Sequence, residues 1–483
     1  MVASNLIARG GRDGYCIAIG TCSWSSFGRG DVRVSLSFHG AEISAMPVRA
    51  ARRRTGPHQR PPDDLLLLIL ARLGCAGAAA RTGVLSRRWR GLWPRLRQIV
   101  FRDVPYASLE AALGGVSRPP PPVSLLEFRI PDKRLPGHRR PDSAGINSLL
   151  LAAAGLEPES LVVALPSHLI GCTLVLDLPY FHRAASIVLD ICSILSVPAG
   201  VEFPALETLS LSCFLPDLDS FIPCCPRLRT LRLGSLLLGV LCLNSVSLQE
   251  LVVDREAGLT DHISIVAPVL RQLTMSFISS NPSISVSAPM LEKVSWRCCY
   301  NDGSIVFGFW LLEEVLLRTA ETQGQLSSLH IHFGARSLIF HGEADTITQD
   351  IEKHMIAEFS ILELHLRTSG HMFGALAFYL LGSNRICTTM QKLKVILQRS
   401  AVKERCSPDC PCESSGWRVQ TISLTALEEV EINGFEGDNH ELDFLKLVLR
   451  CAPMLKRMIV KLSDKASASS YRRTKLYNIF RAN

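Results

Sequence analysis

From about residue 146 onward the apolar positions fall into a repeated phrase. Leu206-x-x-Leu209-x-Leu211, Leu228-x-x-Leu231-x-Leu233 and Leu248-x-x-Leu251-x-Val253 come first. Leu270-x-x-Leu273-x-Met275, Leu291-x-x-Val294-x-Trp296 and Leu312-x-x-Val315-x-Leu317 follow, with lead positions 22, 20, 22, 21 and 21 residues apart. The alternation inside each phrase predicts one short strand per unit, apolar on one side and polar on the other. A period near 20 predicts units that cannot bury their leucines alone and stack into a continuous core. Pro204, Pro226, Pro268 and Pro289 stand two residues before a lead leucine and mark the loop entering each strand. The register then loosens, through Leu338-Phe340, Leu364-Leu366, Leu393-Val395, Leu427-Val430-Ile432 and Leu455-Met458-Val460.

Two stretches follow a helical period instead. Leu66, Ile69, Leu70 and Leu73 lie on one helical face behind Asp63, which reads as an N-cap. Leu85, Trp89, Leu92 and Trp93 predict a second helix, interleaved with Arg87, Arg88 and Arg90 and stopped by Pro94. Near the other end, residues 417–463 read as a strand, a turn bounded by Gly434 and Gly437, a helix and a final strand. Phe444, Leu445, Val448 and Leu449 form that helix's buried stripe. Residues 104–145, with Pro119 to Pro122, Pro131, Pro136 and Pro141, read as an extended connection with one short strand, Leu125 to Ile130. Residues 1–58 have no period. Their Arg- and Ser-containing, acid-poor composition also suits a transit peptide, but a disordered basic extension is the expectation.

The stretches Pro62-Asp63-Asp64-Leu65-Leu66, Ile69-Leu70-Ala71-Arg72-Leu73 and Val84-Leu85-Ser86-Arg87-Arg88-Trp89 to Trp93 resemble a plant F-box. The resemblance implies a helical module docking on the Skp-type adaptor of a cullin-based ubiquitin ligase. Pro62, Leu66, Ile69, Leu70, Leu85, Trp89 and Trp93 are the expected adaptor contacts. Pro61, Leu68 and Gly83 depart from the family pattern. The repeats are similar to the irregular leucine-rich repeats of plant F-box proteins, and residues 417–463 to the FBD domain that follows them there. The expected architecture is α/β: extension 1–58, F-box 59–103, Pro-rich connection 104–145, leucine-rich-repeat solenoid 146–405 and an FBD-like cap 406–483.

The repeats imply a face for a partner. Glu207, Arg229, Gln249, Arg271 and Glu292 are the candidate contacts for a protein substrate. The net charge of +8 is uneven: residues 1–60 carry +6, residues 61–140 carry +8 and the remainder −6. A basic head on a mildly acidic body argues against a continuous nucleic-acid surface, although Arg52-Arg53-Arg54 reads as a weak nuclear signal or phosphate patch. No apolar run is long enough for a transmembrane helix, so no membrane partner is expected. The 16 cysteines are scattered, and several, such as Cys213, Cys242 and Cys387, sit among apolar residues. That pattern suits a reducing cytosol or nucleus. Hydrolase, metalloprotease, P-loop and dinucleotide signatures are absent from the sequence. Cys406, Cys410 and Cys412 lack the second pair that a zinc site needs. No cofactor, metal or catalytic residue is expected. A repeat scaffold that no longer engages the adaptor is the alternative function.

Overall fold

A computed structural model describes residues 3–11, 14–22 and 62–482. Excepted are 103, 105, 115, 117–121, 130–141, 166–173, 199, 217, 235–238, 302–304, 323, 341–343, 400–414 and 468–469. Residues 1–61 form one compact unit and residues 62–483 a second. In the first, β1 (Ala3–Gly11) and β2 (Gly14–Cys22) pair antiparallel, from Ala3 opposite Cys22 to Gly11 opposite Gly14. The expected structureless extension therefore does not hold for these two runs.

The second unit opens with α1 (Asp63–Arg72) and α2 (Ala76–Arg81), followed by β3 (Gln98–Arg102), α3 (Tyr106–Gly114), β4 (Leu125–Arg129) and α4 (Ser143–Gly155). Next come β5 (Ser160–Leu165), β6 (Val175–Asp177), β7 (Ser186–Ser196), β8 (Thr208–Phe214), α5 (Leu218–Phe221), β9 (Thr230–Gly234), β10 (Val240–Asn244), β11 (Glu250–Leu259) and β12 (His262–Val266). β13 (Gln272–Ser279), β14 (Ser283–Ser287), β15 (Lys293–Tyr300), β16 (Val306–Arg318), β17 (Ser328–Phe340), α6 (Ala344–Glu352) and β18 (Ile361–Arg367) continue the chain. It ends with α7 (Gly374–Gly382), α8 (Asn384–Cys387), β19 (Lys392–Gln398), β20 (Glu429–Phe435), α9 (Asn439–Cys451), β21 (Arg457–Leu462), α10 (Asp464–Ser467) and α11 (Ser470–Ala482).

Sixteen of these strands make one sheet, in the order β21-β20-β19-β18-β17-β16-β15-β13-β11-β9-β8-β7-β5-β4-β3, with β6 on β7. The repeat leucines explain it. Ile99, Leu126, Leu161, Ile187, Leu209, Leu231, Leu251, Leu273 and Val294 are successive register partners, and all are buried. Beyond β16 the column two residues farther along continues, from Trp296 through Leu317 to Leu329, Leu362, Leu393, Val430 and Met458. Because side chains alternate across a strand, one in-register column buries every unit against its neighbours. The core is thus continuous along the second unit, and its length does not force a split into separate cores.

The prolines act as expected. Leu206, Leu228, Leu270 and Leu291 each donate a backbone hydrogen bond three residues back, at 3.1–3.2 Å, to Phe203, Cys225, Ala267 and Ala288. Pro204, Pro226, Pro268 and Pro289 therefore hold the second position of a β-turn, where a fixed φ is already correct. Pro453 repeats the device before Leu455, which bonds Ala452 at 3.2 Å.

Three boundaries differ from expectation. The sheet begins at β3, inside the span assigned to the F-box, and β4 extends it through the supposed Pro-rich connection. β20 and β21 continue it at the other end, so the residues read as a cap are its last repeats. The sixth phrase, Leu312-x-x-Val315-x-Leu317, runs backwards: β16 is antiparallel to both β15 and β17. Only residues 301–305 and 319–327 separate β16 from its neighbours in sequence, less chain than the other units use to return, and the reversal puts β17 parallel to β15 again. The aligned phrase on β17 is consequently Leu329-Ile331-Phe333, opposite Leu362, Leu364 and Leu366, and not Leu338-Phe340.

Candidate functional site

The first candidate surface is the helical unit at 62–96. Pro62, not Asp63, is the N-cap of α1; Asp63 pairs its carboxylate with Arg88 at 2.8 Å and Arg95 at 3.6 Å. Those arginines, led by the Arg88 hydrogen bond, hold the Asp63 carboxyl below its ordinary range. The expected second α-helix over Leu85 to Trp93 does not form. The segment is a series of turns with short 3₁₀ pieces at Thr82–Val84 and Trp93–Arg95. Gly91 sits at φ +75°, which a helix does not allow, and Pro94 removes a donor.

Packing sorts the predicted adaptor contacts. Leu66 and Leu70 are buried in the core, and Ile69, Trp89 and Trp93 lie partly buried against it. Trp93 meets Phe101 of β3 edge to face at 6.2 Å, and Phe101 stacks on Phe128 at 5.7 Å. The apolar stripe of α1 is thus spent on the core, and Leu66 and Leu70 are not available contacts. What remains outward is Pro62, Leu65, Leu68, Val84 and Leu85, with Val84 84% and Leu68 63% exposed. Leu65, Leu68 and Val84 were missed because they lie off the periodic stripe.

The second candidate surface is the polar side of the sheet. Glu207, Arg229, Gln249, Arg271 and Glu292 are exposed, and the structure brings them together. Each donates its backbone N–H to the carbonyl of the residue before it in the row, from Ala185 through Glu292, at 2.8–2.9 Å. They form a rim where the strands begin, not the middle of the face. Arg271 reaches Glu292 at 3.6 Å. Farther along this rim, the loop between β16 and β17 overhangs a cleft of about 620 Å³ lined by Arg318, Glu321, Gln325, Lys392, Glu428 and Glu429 among others.

The middle of the face carries a denser cluster. β17 presents His330 and His332, β18 presents Glu363 and His365, and register sets His330 opposite Glu363 and His332 opposite His365. Glu363 Oε1 lies 2.8 Å from His365 Nε2 and 3.9 Å from His330 Nδ1; its other oxygen accepts from Lys394 Nζ at 3.0 Å. His332 stacks on His365 with centroids 4.1 Å apart and rings 9° from parallel. Burial pushes the pKa of His330 and of His332 down. For Glu363 burial is the largest influence and acts upward, but Lys394 and the histidines together hold the carboxyl low. No sequence motif announced this cluster; His-x-His in one strand and Glu-x-His in the next was the available signal.

The final repeats have their own support. Glu441, buried near the start of α9, accepts from the backbone N–H of Glu436 at 2.8 Å and Gly437 at 2.7 Å, and pairs with Arg399. Phe444, Leu445 and Val448 are buried as expected, and Leu449 is partly so. Cys406, Cys410 and Cys412 lie outside the described residues. Among the described cysteines none is in a disulfide; burial raises the Cys225 thiol to about 12 and pushes Cys298 up as well. Among the described residues no helix is long and apolar enough to cross a membrane.

A mainly parallel sheet with one strand per leucine phrase defines a leucine-rich-repeat protein of the α/β class. Residues 139–300 match the family model described as the leucine-rich repeats of FBD-associated F-box protein At5g56370, and residues 424–460 match the FBD model. In its repeats and in the segment that follows them, the chain is thus similar to FBD-associated F-box proteins. The chain is also 25% identical, over 255 residues, to an Arabidopsis thaliana protein named "Putative FBD-associated F-box protein At5g56560". The alignment covers 49% of this chain and 54% of the relative, so the chain spans about half the length of the curated relative it matches. No solved structure matches it.

Proposed function

We propose that the chain is the substrate-recognition subunit of a cullin-based ubiquitin ligase. The helical unit grips a Skp-type adaptor through Pro62, Leu65, Leu68, Val84 and Leu85, with the cullin reached through that adaptor. The observation that carries this is the set of exposed apolar residues on a unit whose periodic stripe is already spent on the core; exposed leucine and valine clustered in one short unit are what an interface leaves uncovered. The polar sheet face and its rim hold a protein substrate. The subunit contributes proximity and not bond chemistry: holding a lysine-bearing partner near the conjugating enzyme raises the effective concentration of its lysines. Cytosol or nucleus is the fitting compartment.

The test is co-purification of the full chain with a plant Skp-type adaptor, beside a Leu68→Asp, Val84→Asp double variant. Both positions are solvent-facing, so the variant should keep the wild-type circular dichroism spectrum. Stoichiometric adaptor with the wild type and at least a tenfold loss with the variant is expected. A folded wild type that retains no adaptor overturns the proposal and favours a repeat scaffold working without one.

A further inference from the structure

We infer that His330, Glu363 and His365 form a binding site for a divalent first-row transition ion of the zinc class, on the polar face of the sheet between β17 and β18. The three ligand atoms lie within 4.8 Å of one another. With metal–ligand bonds of ~2.0–2.2 Å, neighbouring donors around one ion sit roughly 3 Å apart, so closure needs side-chain adjustment alone. The strands that carry them are locked in register by the sheet. Two details orient the donors. Ser328 Oγ lies 3.0 Å from His330 Nε2; with that nitrogen donating its proton, the Nδ1 lone pair is turned toward Glu363. Such an outer hydrogen bond is how metal-binding imidazoles are commonly held. His365 Nε2 is buried and has no hydrogen-bond partner, although Glu363 Oε1 is only 2.8 Å away. Close approach without a bonding angle suits two donors converging on a shared cation. His332, stacked on His365, is a positioning residue. Two imidazoles and one carboxylate select borderline ions over calcium or magnesium, and three protein ligands leave a position open to solvent or to a bound partner's side chain. Lys394 opposes the ion by charge while it holds the far oxygen of Glu363.

The test uses Co²⁺ and Zn²⁺ with the purified full chain, reading visible Co²⁺ absorption and titration calorimetry. One equivalent is expected, without the near-ultraviolet band of thiolate ligation. His365→Gln should weaken binding at least tenfold. Lys394→Met, which leaves all three ligands in place, should tighten it severalfold by removing a competing charge. A Cys406→Ser, Cys410→Ser, Cys412→Ser variant should bind like the wild type. Binding that vanishes in the cysteine variant, that ignores His365→Gln, or that is absent from both the wild type and Lys394→Met overturns the inference.

Discussion

Acid should loosen the repeats around β15 through a single histidine. His354 is wholly buried behind the sheet; Trp296 Nε1 donates to its Nδ1 at 2.9 Å, and its Nε2 meets the Tyr300 hydroxyl at 2.5 Å. Because Nδ1 accepts, the ring must be neutral with its proton on Nε2. Burial first, and the nearby Lys353 charge second, depress its pKa from 6.5 to about 3. The folded protein therefore takes up the proton later than the unfolded chain does. Stability from this group is complete above pH 6.5 and is lost as pH falls from there toward 3. At pH 4.5, about two pH units below the ordinary histidine value, proton uptake favours the unfolded state by roughly 2–3 kcal/mol. The assay is urea unfolding followed by circular dichroism at pH 7.5 and 4.5, for wild type and His354→Asn. At pH 7.5 the variant should be less stable by about 2–3 kcal/mol, since two buried partners lose their bonds. At pH 4.5 that gap should shrink by roughly 2–3 kcal/mol, because only the wild type carries the titrating ring; other groups cancel in the difference. A gap that stays constant between the two pH values refutes the buried neutral histidine.

Two further outcomes concern the final repeats. Gly434→Ala should cost about 2–4 kcal/mol in the same unfolding assay: Gly434 sits at φ +78°, and an added Cβ would lie 2.4 Å from the carbonyl oxygen of Leu397. Glu441→Ala should cost about 3–5 kcal/mol, since it strands the Arg399 charge and two backbone donors in a buried site; Glu441→Gln, which keeps an acceptor, should recover part of that loss.

What could be seen in advance follows from what periodicity encodes. The leucine phrases placed the strands because burial on one face is the same demand in every unit, and Leu209, Leu231, Leu251 and Leu273 do share one column. Alternation is blind to direction, however: Leu312, Val315 and Leu317 fit β16 whether it runs with or against its neighbours. The same logic misled the adaptor surface. A helical stripe says that Leu66 and Leu70 will be buried, not against what, and the chain's own core took them. Helical spacing over Leu85 to Trp93 was outvoted by Gly91 and Pro94. The histidine cluster depends on a register between residues 33 positions apart, His332 and His365, and no local pattern supplies that.

The reversal at β16 divides two kinds of backing. Immediately before it, between β9 and β15, β10, β12 and β14 fill the returns of the repeats as a parallel three-stranded sheet; after it α6, α7 and α9 fill them, as α3 and α4 do near the start. Strands stand about 4.8 Å apart, whereas packed helices need about 8–10 Å between axes. Front and rear spacings are therefore matched on one side of β16 and mismatched roughly twofold on the other. A row of wedges bends and a row of bricks does not. The histidines of β17 and β18 lie just beyond this change. A guest long enough to touch Arg271 and His330 at once would have to span the join between the two kinds of backing.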